Sequence, residues 1–392
     1  MSQTGPVNVW LVGSDDIRLR LPWVDELRAR DFDVTMVGSE PDDPFRARNI
    51  PYHRYSLSRA LAPLSDLRSF RELVALFRKH APAIVHSFDT KPAMLASFAA
   101  LRAGVPVRVR TLTGMGYVFS SRSPLALGLR PVDLALQAAA SRAASMTVFQ
   151  NRDDQALFMR LRLAREDAST MVPGSGIDTA LLQSRRPPAE ELESLRRELG
   201  IEHTRVVTMV SRLVRTKGVA EFCAAARAVR TQRPDCTFLL VGPLSSEGWQ
   251  AVSRREVEGN PDVRWLGPRH DVPALLALSD VFALPTFYRE GVPRALLEAA
   301  ALGLPLVSTD MPGCRDVIRD GWNGILVPPR DAPALAEALL RLLDAEPDEL
   351  RQMGERSREH VERHFTLEHV ADSYARIYRR LLERPDAAPS GP

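Results

Sequence analysis

Hydrophobic and polar positions in the first half of this chain follow two periods. Short apolar, β-branched runs occur at Val7–Val12, Val34–Val37, Ile84–His86, Val105–Arg110 and Met146–Gln150. Longer amphipathic stretches separate them, such as Pro63–His80, where leucines and a phenylalanine lie at helical spacing with Arg and Lys opposite. Short strands that alternate with amphipathic helices are typical of parallel βαβ units. The pattern therefore predicts a doubly wound α/β domain.

The same alternation begins again after residue 175. A second series of strands is predicted at Val206–Val210, Thr237–Val241, Val263–Leu266, Val281–Leu284, Leu306–Ser308 and Ile325–Val327. The turn-forming string Pro173–Asp178 separates the two series, and a break at Phe365-Thr366 precedes a last helical stretch, Leu367–Leu382. We predict one domain in residues 1–175, a second in 176–365, and a C-terminal helix in 366–392 that ends in a frayed tail from Pro385 onward.

The length and composition of the chain fit two globular domains. Its 392 residues are too many for one ordinary core, and 45% hydrophobic with 26% charged residues is normal globular composition. The three cysteines form no CxxC pair, which indicates neither a disulfide framework nor a zinc site. No basic segment precedes Val7–Val12, and no apolar run reaches the roughly 18 residues of a spanning helix. We expect a cytoplasmic protein that contacts a membrane only at its surface.

Positive charge is concentrated in the first half. The net charge of the chain is +3, but between Pro44 and Gln150 there are 15 Lys and Arg residues against four Asp and Glu, which gives +11. A solvated, arginine-rich surface explains this segment, and so does attraction to anionic lipid or to a phosphate-bearing acceptor. The helix Pro63–His80 has the same two interpretations, as a cover for the sheet or as a membrane-surface helix. Nucleic acid is disfavoured because aromatic residues make up only 6% of the chain.

A candidate phosphate site follows the predicted strand Val281–Leu284. The chain continues through a loop with Glu290 and Gly291 to Pro293, which suits the first turn of a helix that contains Glu298. Such a loop lies at the carboxyl end of a parallel strand, where open α/β sheets bind ligands, and its helix offers free N–H groups to an anion. Two glutamates eight residues apart also occur by chance on solvated helices, so the spacing alone is weak.

A second candidate segment follows the strand Val206–Val210. Here Arg212 and Lys217, two cations five residues apart, stand at a strand end, as a clamp for a diphosphate requires. Lysine occurs only at positions 79, 91 and 217, in a chain that otherwise uses arginine. The lysine at 217 therefore favours a binding role that requires a compact ammonium group, and an ordinary surface loop is the less favoured interpretation.

These segments resemble the nucleotide-sugar domain of family 4 glycosyltransferases. The resemblance rests on Ser211–Gly218, on Glu290-Gly-Val-Pro-Arg with Glu298-Ala, and on the run from Thr309 through Asp316 and Asp320 to Val327. Nearer the N-terminus, His86–Lys91, Thr111–Gly116 and Phe149–Asp154 resemble the bacterial surface-polysaccharide and lipid-linked-oligosaccharide subgroup. The resemblance covers nearly the whole chain. It implies the GT-B fold, in which two Rossmann-like domains face a central cleft and a C-terminal helix returns to the N-terminal domain.

The resemblance also implies roles for residues of the second domain. Arg212 and Lys217 would bind the donor diphosphate and neutralise the leaving group, and together with Glu290 they form the predicted catalytic set. Glu290 would contact the transferring sugar, Gly291 and Val292 would offer backbone N–H groups, and Glu298 would hold the ribose hydroxyls. Charge that develops on the departing diphosphate would then meet preorganised cations and a helix N-terminus.

The N-terminal domain departs from the family pattern at one position. Many members have a histidine where this chain has Thr113, so the polar contact would come from Thr113, Gly114 or His86. Lys91 would meet an acceptor phosphate. Gly13 and Ser14 come directly after the first strand. Gly13 would form another loop that approaches the donor closely. These are the predicted acceptor-binding residues, with Gly13 added to the predicted donor-binding set.

The function implied is a retaining glycosyltransferase that uses no metal ion and no resident cofactor. It would transfer an N-acetylhexosamine or a hexose from a UDP-sugar to a polyprenyl-diphosphate-linked saccharide, peripherally at the inner face of the plasma membrane. A nucleotide-sugar epimerase of the same fold and a transferase with a soluble acceptor stay open as alternatives. A noncatalytic lectin-like protein is disfavoured because the cations and glutamates occur together. A dehydrogenase is disfavoured because Gly13 is followed by Ser-Asp-Asp and not by G-x-G-x-x-G. The pairs Asp15-Asp16 and Asp153-Asp154 lack the context of a metal site.

Overall fold

A computed structural model describes residues 5–58, 62–116, 119, 123–244 and 250–383 of the chain. The tail predicted from Pro385 onward lies outside these ranges. The chain divides into two compact units. The first unit contains the chain up to Gly176, the short segment Glu290–Val292 and the chain from Leu367, and the second unit contains Ile177–Arg289 and Pro293–Thr366.

The first unit is built on a parallel sheet. Its strands within the described residues are β1 (Val7–Val12), β2 (Phe32–Gly38), β3 (Tyr52–Arg54), β4 (Ile84–Phe88), β5 (Val107–Leu112), β6 (Met146–Phe149) and β7 (Ser169–Met171). They follow the order β3-β2-β1-β4-β5-β6-β7, and every pairing is parallel. The predicted strands of this half are confirmed with shifts of a few residues. The three-residue strands β3 and β7 were not predicted.

Helices cover both faces of this sheet. They are α1 (Leu21–Arg28), α2 (Asp43–Arg46), α3 (Pro63–His80), α4 (Lys91–Ala103), α5 (Pro124–Ala143), α6 (Arg152–Arg160) and, from the C-terminal end of the chain, α16 (Leu367–Leu382). One buried cluster packs α3 and α4 against the sheet through Leu73, Phe77 and Ala96. Another packs α1 and α16 against it through Trp23 and Tyr378. The C-terminal helix is thus part of the core of the first unit.

The second unit repeats the design with a smaller sheet. Its described strands are β8 (Arg205–Val210), β9 (Cys236–Val241), β10 (Arg264–Trp265), β11 (Val281–Leu284), β12 (Leu306–Thr309) and β13 (Gly324–Val327), in the order β10-β9-β8-β11-β12-β13, all parallel. The helices are α7 (Thr179–Ser184), α8 (Ala189–Glu198), α9 (Val219–Gln232), α10 (Arg254–Glu258), α11 (Val272–Ala277), α12 (Arg294–Ala301), α13 (Cys314–Val317), α14 (Ala332–Leu343) and α15 (Pro347–His364). The prediction of two doubly wound parallel sheets is confirmed.

Each sheet has a point where the strand order reverses. In the first unit it lies between β1 and β4, and in the second unit it lies between β8 and β11. Connections leave the sheet in opposite directions at such a point, so the loops beyond the carboxyl ends of the two strands flank a crevice. In the second unit these loops are Ser211–Gly218 and Pro285–Arg289, which both belong to the segments that the sequence singled out for chemistry. Among the described residues, every helix is too short or too polar to span a bilayer.

Candidate active site

The two candidate loops of the second unit are bonded to each other. The carbonyl oxygen of Thr216 accepts hydrogen bonds from the backbone N–H of Phe287 at 2.9 Å and of Tyr288 at 3.1 Å. It also accepts one from Thr286 Oγ1 at 3.2 Å. These bonds hold the residue before Lys217 against the loop after β11. The loop that carries the predicted cations therefore has a fixed position beside the loop that leads to α12.

Gly218 permits this close approach. Its φ is +79°, in the left-handed region, and a Cβ atom here would overlap the carbonyl group of Pro285, with 2.7 Å to the carbonyl carbon. A side chain at position 218 would thus force the two loops apart. The contact with Pro285 therefore explains why position 218 is a glycine, and the sequence pattern did not reveal this contact.

The predicted donor residues of the second unit lie on these loops and on α12. Arg212 is exposed and Lys217 is half-buried. Glu298 lies inside α12 with 22% of its side chain exposed, and its Oε1 accepts a hydrogen bond from Arg294 Nε at 2.9 Å. The N-terminal turn of α12 has no side-chain cap, so its N–H groups are oriented as an anion site requires. That these groups bind one diphosphate stays a prediction.

The segment Glu290–Val292 packs with the first unit. The Gly291 N–H donates to the carbonyl oxygen of Thr113 at 2.8 Å, and Gly114 pairs with Glu290 in an antiparallel bridge. Asn151 Nδ2 donates to the carbonyl oxygens of Glu290 at 3.1 Å and Gly291 at 2.9 Å. The Gly291 N–H that was predicted to face the donor is therefore engaged by Thr113 in this structure. The donor contacts of Glu290 and Val292 stay predictions.

A polar cluster lies at the switch point of the first unit. Asp89, directly after β4, accepts hydrogen bonds from Thr113 Oγ1 at 2.8 Å and from Ser14 Oγ at 3.2 Å. Arg20 NH2 lies 3.5 Å from Asp89 Oδ1. Burial raises the pKa of the Asp89 carboxyl, although the charge of Arg20 and the two hydroxyl donors act in the opposite direction. Sequence reasoning singled out Thr113 but missed Asp89 and Arg20.

Two residues with predicted ligand roles, His86 and Lys91, make other contacts in the structure. His86 is fully buried, with Nδ1 at 2.5 Å from the Tyr378 hydroxyl and Nε2 at 2.7 Å from Thr111 Oγ1. Lys91 Nζ donates to the Ser58 carbonyl oxygen at 2.8 Å and pairs with Asp66 at 2.5 Å. His86 thus has no exposed atom with which to reach an acceptor, because its strand position directs it into the core.

Gly13 lies at the end of β1. Its N–H donates to the Val37 carbonyl oxygen at 2.9 Å and its own carbonyl oxygen accepts from the Tyr55 hydroxyl at 2.9 Å. Both backbone groups are therefore committed within the first unit, and the donor contact of Gly13 stays a prediction. In the described ranges, no group of three or more His, Cys, Asp or Glu side chains is arranged to hold a metal ion.

Another cation near the donor loops was not predicted. The guanidinium carbon of Arg330 lies 4.3 Å from the centre of the Phe287 ring, and Arg330 has a φ of +63°. It follows β13, so segments after three strands, β8, β11 and β13, contribute to this side of the second sheet. No short motif marks this arginine in the sequence, because its contact with Phe287 depends on the fold.

Two family models match the chain. The model described as "Glycosyl transferase 4-like" matches residues 9–151, and the model described as "Glycosyl transferases group 1" matches residues 204–345. The first match covers the sheet of the first unit up to β6, and the second covers β8 to β13. Both candidate loops of the second unit lie within the second match.

Several characterised bacterial proteins are similar over most of their length. The UDP-Gal:α-D-GlcNAc-diphosphoundecaprenol α-1,3-galactosyltransferase of Escherichia coli is 26% identical over 338 residues, which are 83% of this chain and 84% of that protein. The N,N'-diacetylbacillosaminyl-diphospho-undecaprenol α-1,3-N-acetylgalactosaminyltransferase of Campylobacter jejuni is 25% identical, over 95% of this chain and 97% of that protein. The capsular polysaccharide glycosyltransferase CapM of Staphylococcus aureus is 24% identical, over 95% and 96%.

Solved structures share the fold. Anabaena HepE in complex with UDP and glucose superposes with a TM-score of 0.79 at 19% identity, over 95% of this chain and all of that one. The sucrose-phosphate synthase of Thermosynechococcus elongatus gives a TM-score of 0.77 at 20% identity, over 96% and 99%. The fold of the two units is thus the GT-B fold.

Proposed function

Since this chain belongs to the family 4 glycosyltransferases of GT-B fold, we propose that it transfers a sugar from a UDP-sugar to a polyprenyl-diphosphate-linked saccharide, with retention of anomeric configuration. The sugar we favour is an N-acetylhexosamine or a hexose. The observation that carries the proposal is the bonded pair of loops in the second unit, where Thr216 and Gly218 hold the segment with Lys217 against the loop after β11.

The donor diphosphate is proposed to bind between Arg212, Lys217 and the N-terminus of α12. The transfer breaks the bond between the anomeric carbon and the diphosphate oxygen and leaves negative charge on UDP. The two cations and the uncapped N–H groups oppose that charge, and this is the electrostatic kind of catalysis. The acceptor hydroxyl oxygen forms the new bond on the same face of the sugar, and its proton passes to the departing phosphate.

Glu298 is proposed to hold the ribose of the donor. Its Oε1 is paired with Arg294, but a carboxylate has about four lone-pair positions and can accept further hydrogen bonds from a diol. The cations supply the charge that a metal ion supplies elsewhere, so we propose that the enzyme works without a divalent cation or other cofactor. Activity that persists in excess EDTA supports this, and activity that EDTA abolishes and Mg²⁺ restores contradicts it.

The acceptor class is proposed from the relatives. The similar proteins from E. coli and C. jejuni are named for diphosphoundecaprenol-linked acceptors, and the first is named for UDP-Gal. Their similarity extends over both units, which supports a related acceptor as well as a related donor. The test is transfer from a panel of UDP-sugars to short-chain polyprenyl-diphosphate-linked N-acetylhexosamine, with product anomers assigned by NMR. Incubation with donor alone is the control, since a nucleotide-sugar epimerase would change the donor without an acceptor.

A peripheral membrane site is proposed on the first unit. On the outer face of α3, Leu64 is 86% exposed and Leu67 is 44% exposed, and the exposed cations of the same face are Arg68, Arg71, Arg78 and Lys79. Helix α4 packs against both α3 and α5. On α5, Val132 is 58% exposed. Exposed leucines beside cations are typical of helices that lie at an anionic bilayer surface.

Vesicle binding tests the membrane site. Replacing the four α3 cations with Gln is expected to weaken co-sedimentation with phosphatidylglycerol-containing vesicles, by about 1 kcal/mol for each charge near the surface. The matched control replaces four exposed arginines of α14 and α15 in the second unit, namely Arg341, Arg351, Arg358 and Arg363. Equal loss in both variants indicates only a net-charge effect, and unaltered binding of the α3 variant contradicts the site.

A further inference from the structure

The first unit contains a polar cluster that the proposed donor site does not use. Ser14, Arg20, Asp89 and Thr113 meet where β1 and β4 end side by side, at the switch point of this sheet. Crevices at such points are where open α/β sheets bind ligands. Topology therefore makes the cluster a candidate binding site, and the side chains indicate what it binds.

Arg20 is the member whose surroundings point to a ligand. Its side chain is only 7% exposed, and its guanidinium carbon lies 4.0 Å from the centre of the Phe88 ring. No described residue accepts a hydrogen bond from its buried Nε. Its NH2 is 3.5 Å from Asp89 Oδ1, longer than a good charge-assisted hydrogen bond. Buried donors are nearly always satisfied, so an arginine in this state has capacity for an incoming oxygen atom.

Asp89 is oriented by its neighbours. Its φ of +70° is uncommon for a residue with a side chain, and Thr113 Oγ1 and Ser14 Oγ both donate to its carboxylate. The side chain is 22% exposed. Because an ionised carboxylate accepts about four hydrogen bonds, Asp89 can accept one more from a ligand hydroxyl. Unusual backbone conformations held by surrounding contacts are frequent at functional sites.

Thr113 connects this cluster with the segment that contains Glu290. Its side chain donates to Asp89, while its carbonyl oxygen accepts the Gly291 N–H at 2.8 Å. The adjacent Gly114 pairs with Glu290. One residue thus sets the position of Asp89 relative to the backbone of the glutamate that is assigned to the transferring sugar. Thr113 therefore links Asp89 to the Glu290–Val292 segment within the first unit.

The charges of the cluster select the kind of ligand. Ser14 Oγ lies 2.6 Å from Asp16 Oδ1 and 3.2 Å from Asp89 Oδ2, so its one hydroxyl proton is shared between two carboxylates. Two carboxylates therefore accompany the single arginine. A phosphate would be repelled by both carboxylates, whereas a sugar hydroxyl both donates and accepts hydrogen bonds. We propose that Asp89 and Arg20 bind neighbouring hydroxyl groups of the acceptor sugar, with Asp89 as hydrogen-bond acceptor and Arg20 as donor. This inference rests on the proposed transferase function, because it concerns the second substrate of that reaction.

The test pairs protein variants with acceptors that lack single hydroxyl groups. In Asp89→Asn the KM for short-chain polyprenyl-diphosphate-linked N-acetylhexosamine is expected to rise about tenfold to a hundredfold, the loss of one hydrogen bond to a charged group. The donor KM is expected to stay unchanged. With the wild type, one mono-deoxy acceptor should show the same rise in KM that the variant shows with the full acceptor. With Asp89→Asn, removing that hydroxyl should raise the KM little further. The matched control is Asp15→Asn, the same charge change at an exposed position in the loop after β1, beside Ser14.

The outcomes separate the two proposals. Suppose that the wild type transfers sugar, and that removing any single acceptor hydroxyl raises the acceptor KM by the same factor in the wild type and in Asp89→Asn. The subsite is then wrong and the transferase proposal stands. If the wild type transfers no sugar to any saccharide acceptor, the transferase proposal fails and the subsite fails with it. UDP-induced thermal stabilisation reports whether each variant is folded. If Asp89→Asn does not fold, the test is made with Arg20→Gln. The proposal then requires that this variant and the loss of the hydroxyl that Arg20 binds have non-additive effects on the acceptor KM.

Discussion

The contact between the two donor loops can be broken at one position, Gly218. An alanine there takes on a left-handed backbone conformation at φ +79°, which costs an L-residue about 1–2 kcal/mol. Its Cβ would also overlap the Pro285 carbonyl group and lie 2.9 Å from Pro285 Cγ. Relieving such overpacking costs a further 1–3 kcal/mol or so. Gly218→Ala should therefore lower the free energy of unfolding of the second unit by about 2–5 kcal/mol.

A second glycine separates backbone strain from the clash. Gly200 also has a positive φ, +58°, but a Cβ at that position meets nothing within 4 Å. Gly200→Ala should lower the free energy of unfolding only by the cost of the left-handed backbone, about 1–2 kcal/mol. The difference between the two variants then measures the packing of Gly218 against Pro285.

Urea unfolding and donor kinetics together decide this prediction. Gly218→Ala should show the lower unfolding midpoint and, because the loop with Lys217 must move away from Pro285, a raised KM for the UDP-sugar. Gly200→Ala should keep the wild-type donor KM. Equal losses of stability in the two variants, with the same donor KM, would refute the claim that this contact positions the diphosphate clamp.

Three other perturbations follow from the same geometry. Lys217→Ala should lower kcat about 10²–10³-fold, the usual effect of removing one group that stabilises developing charge, and wild-type turnover in a folded variant contradicts the clamp. Glu298→Ala should chiefly raise the donor KM, whereas Arg294→Ala, which removes only the ion-pair partner of Glu298, should raise it less. Burial holds the pKa of His86 well below its ordinary value, while the unfolded chain binds a proton below a pH of about 6.5. The folded state therefore loses stability as the pH falls below about 6.5, by at most about 1.4 kcal/mol per pH unit, and urea unfolding of His86→Gln should show a flatter dependence than the wild type.

The fold was predictable because its signal is local. Strands such as Val281–Leu284 are buried on both faces, so each is a continuous apolar run that stands out between amphipathic helices. The prediction of Pro63–His80 as one helix is confirmed with the same limits. The strands Tyr52–Arg54 and Ser169–Met171 carry no such signal, because three residues at a sheet edge are too few to show a period.

The candidate donor loops were predicted from residue type, but the contact between them was not. A lysine in an arginine-rich chain is visible in the sequence, and so is a proline at the start of a helix. The bonds from Phe287 and Tyr288 to Thr216 join residues about 70 positions apart, and no local pattern encodes them. The same holds for Gly291, whose N–H was assigned to the donor from the sequence and bonds to Thr113 in the structure.

His86 and Asp89 show how much the end of a strand changes the surroundings of two residues that lie close together in the sequence. Both belong to one short string, but His86 lies within β4, where every residue is buried, and its ring nitrogens contact Tyr378 and Thr111 in the core. Asp89 is the first residue beyond β4, and its left-handed backbone turns its carboxylate toward Ser14 and Thr113 at the carboxyl edge of the sheet. A histidine is the more conspicuous residue in a sequence, but in a parallel sheet the accessible chemistry begins where the strand stops. The end of the strand, more than the identity of the side chain, is therefore the better guide to a binding residue in a fold of this kind.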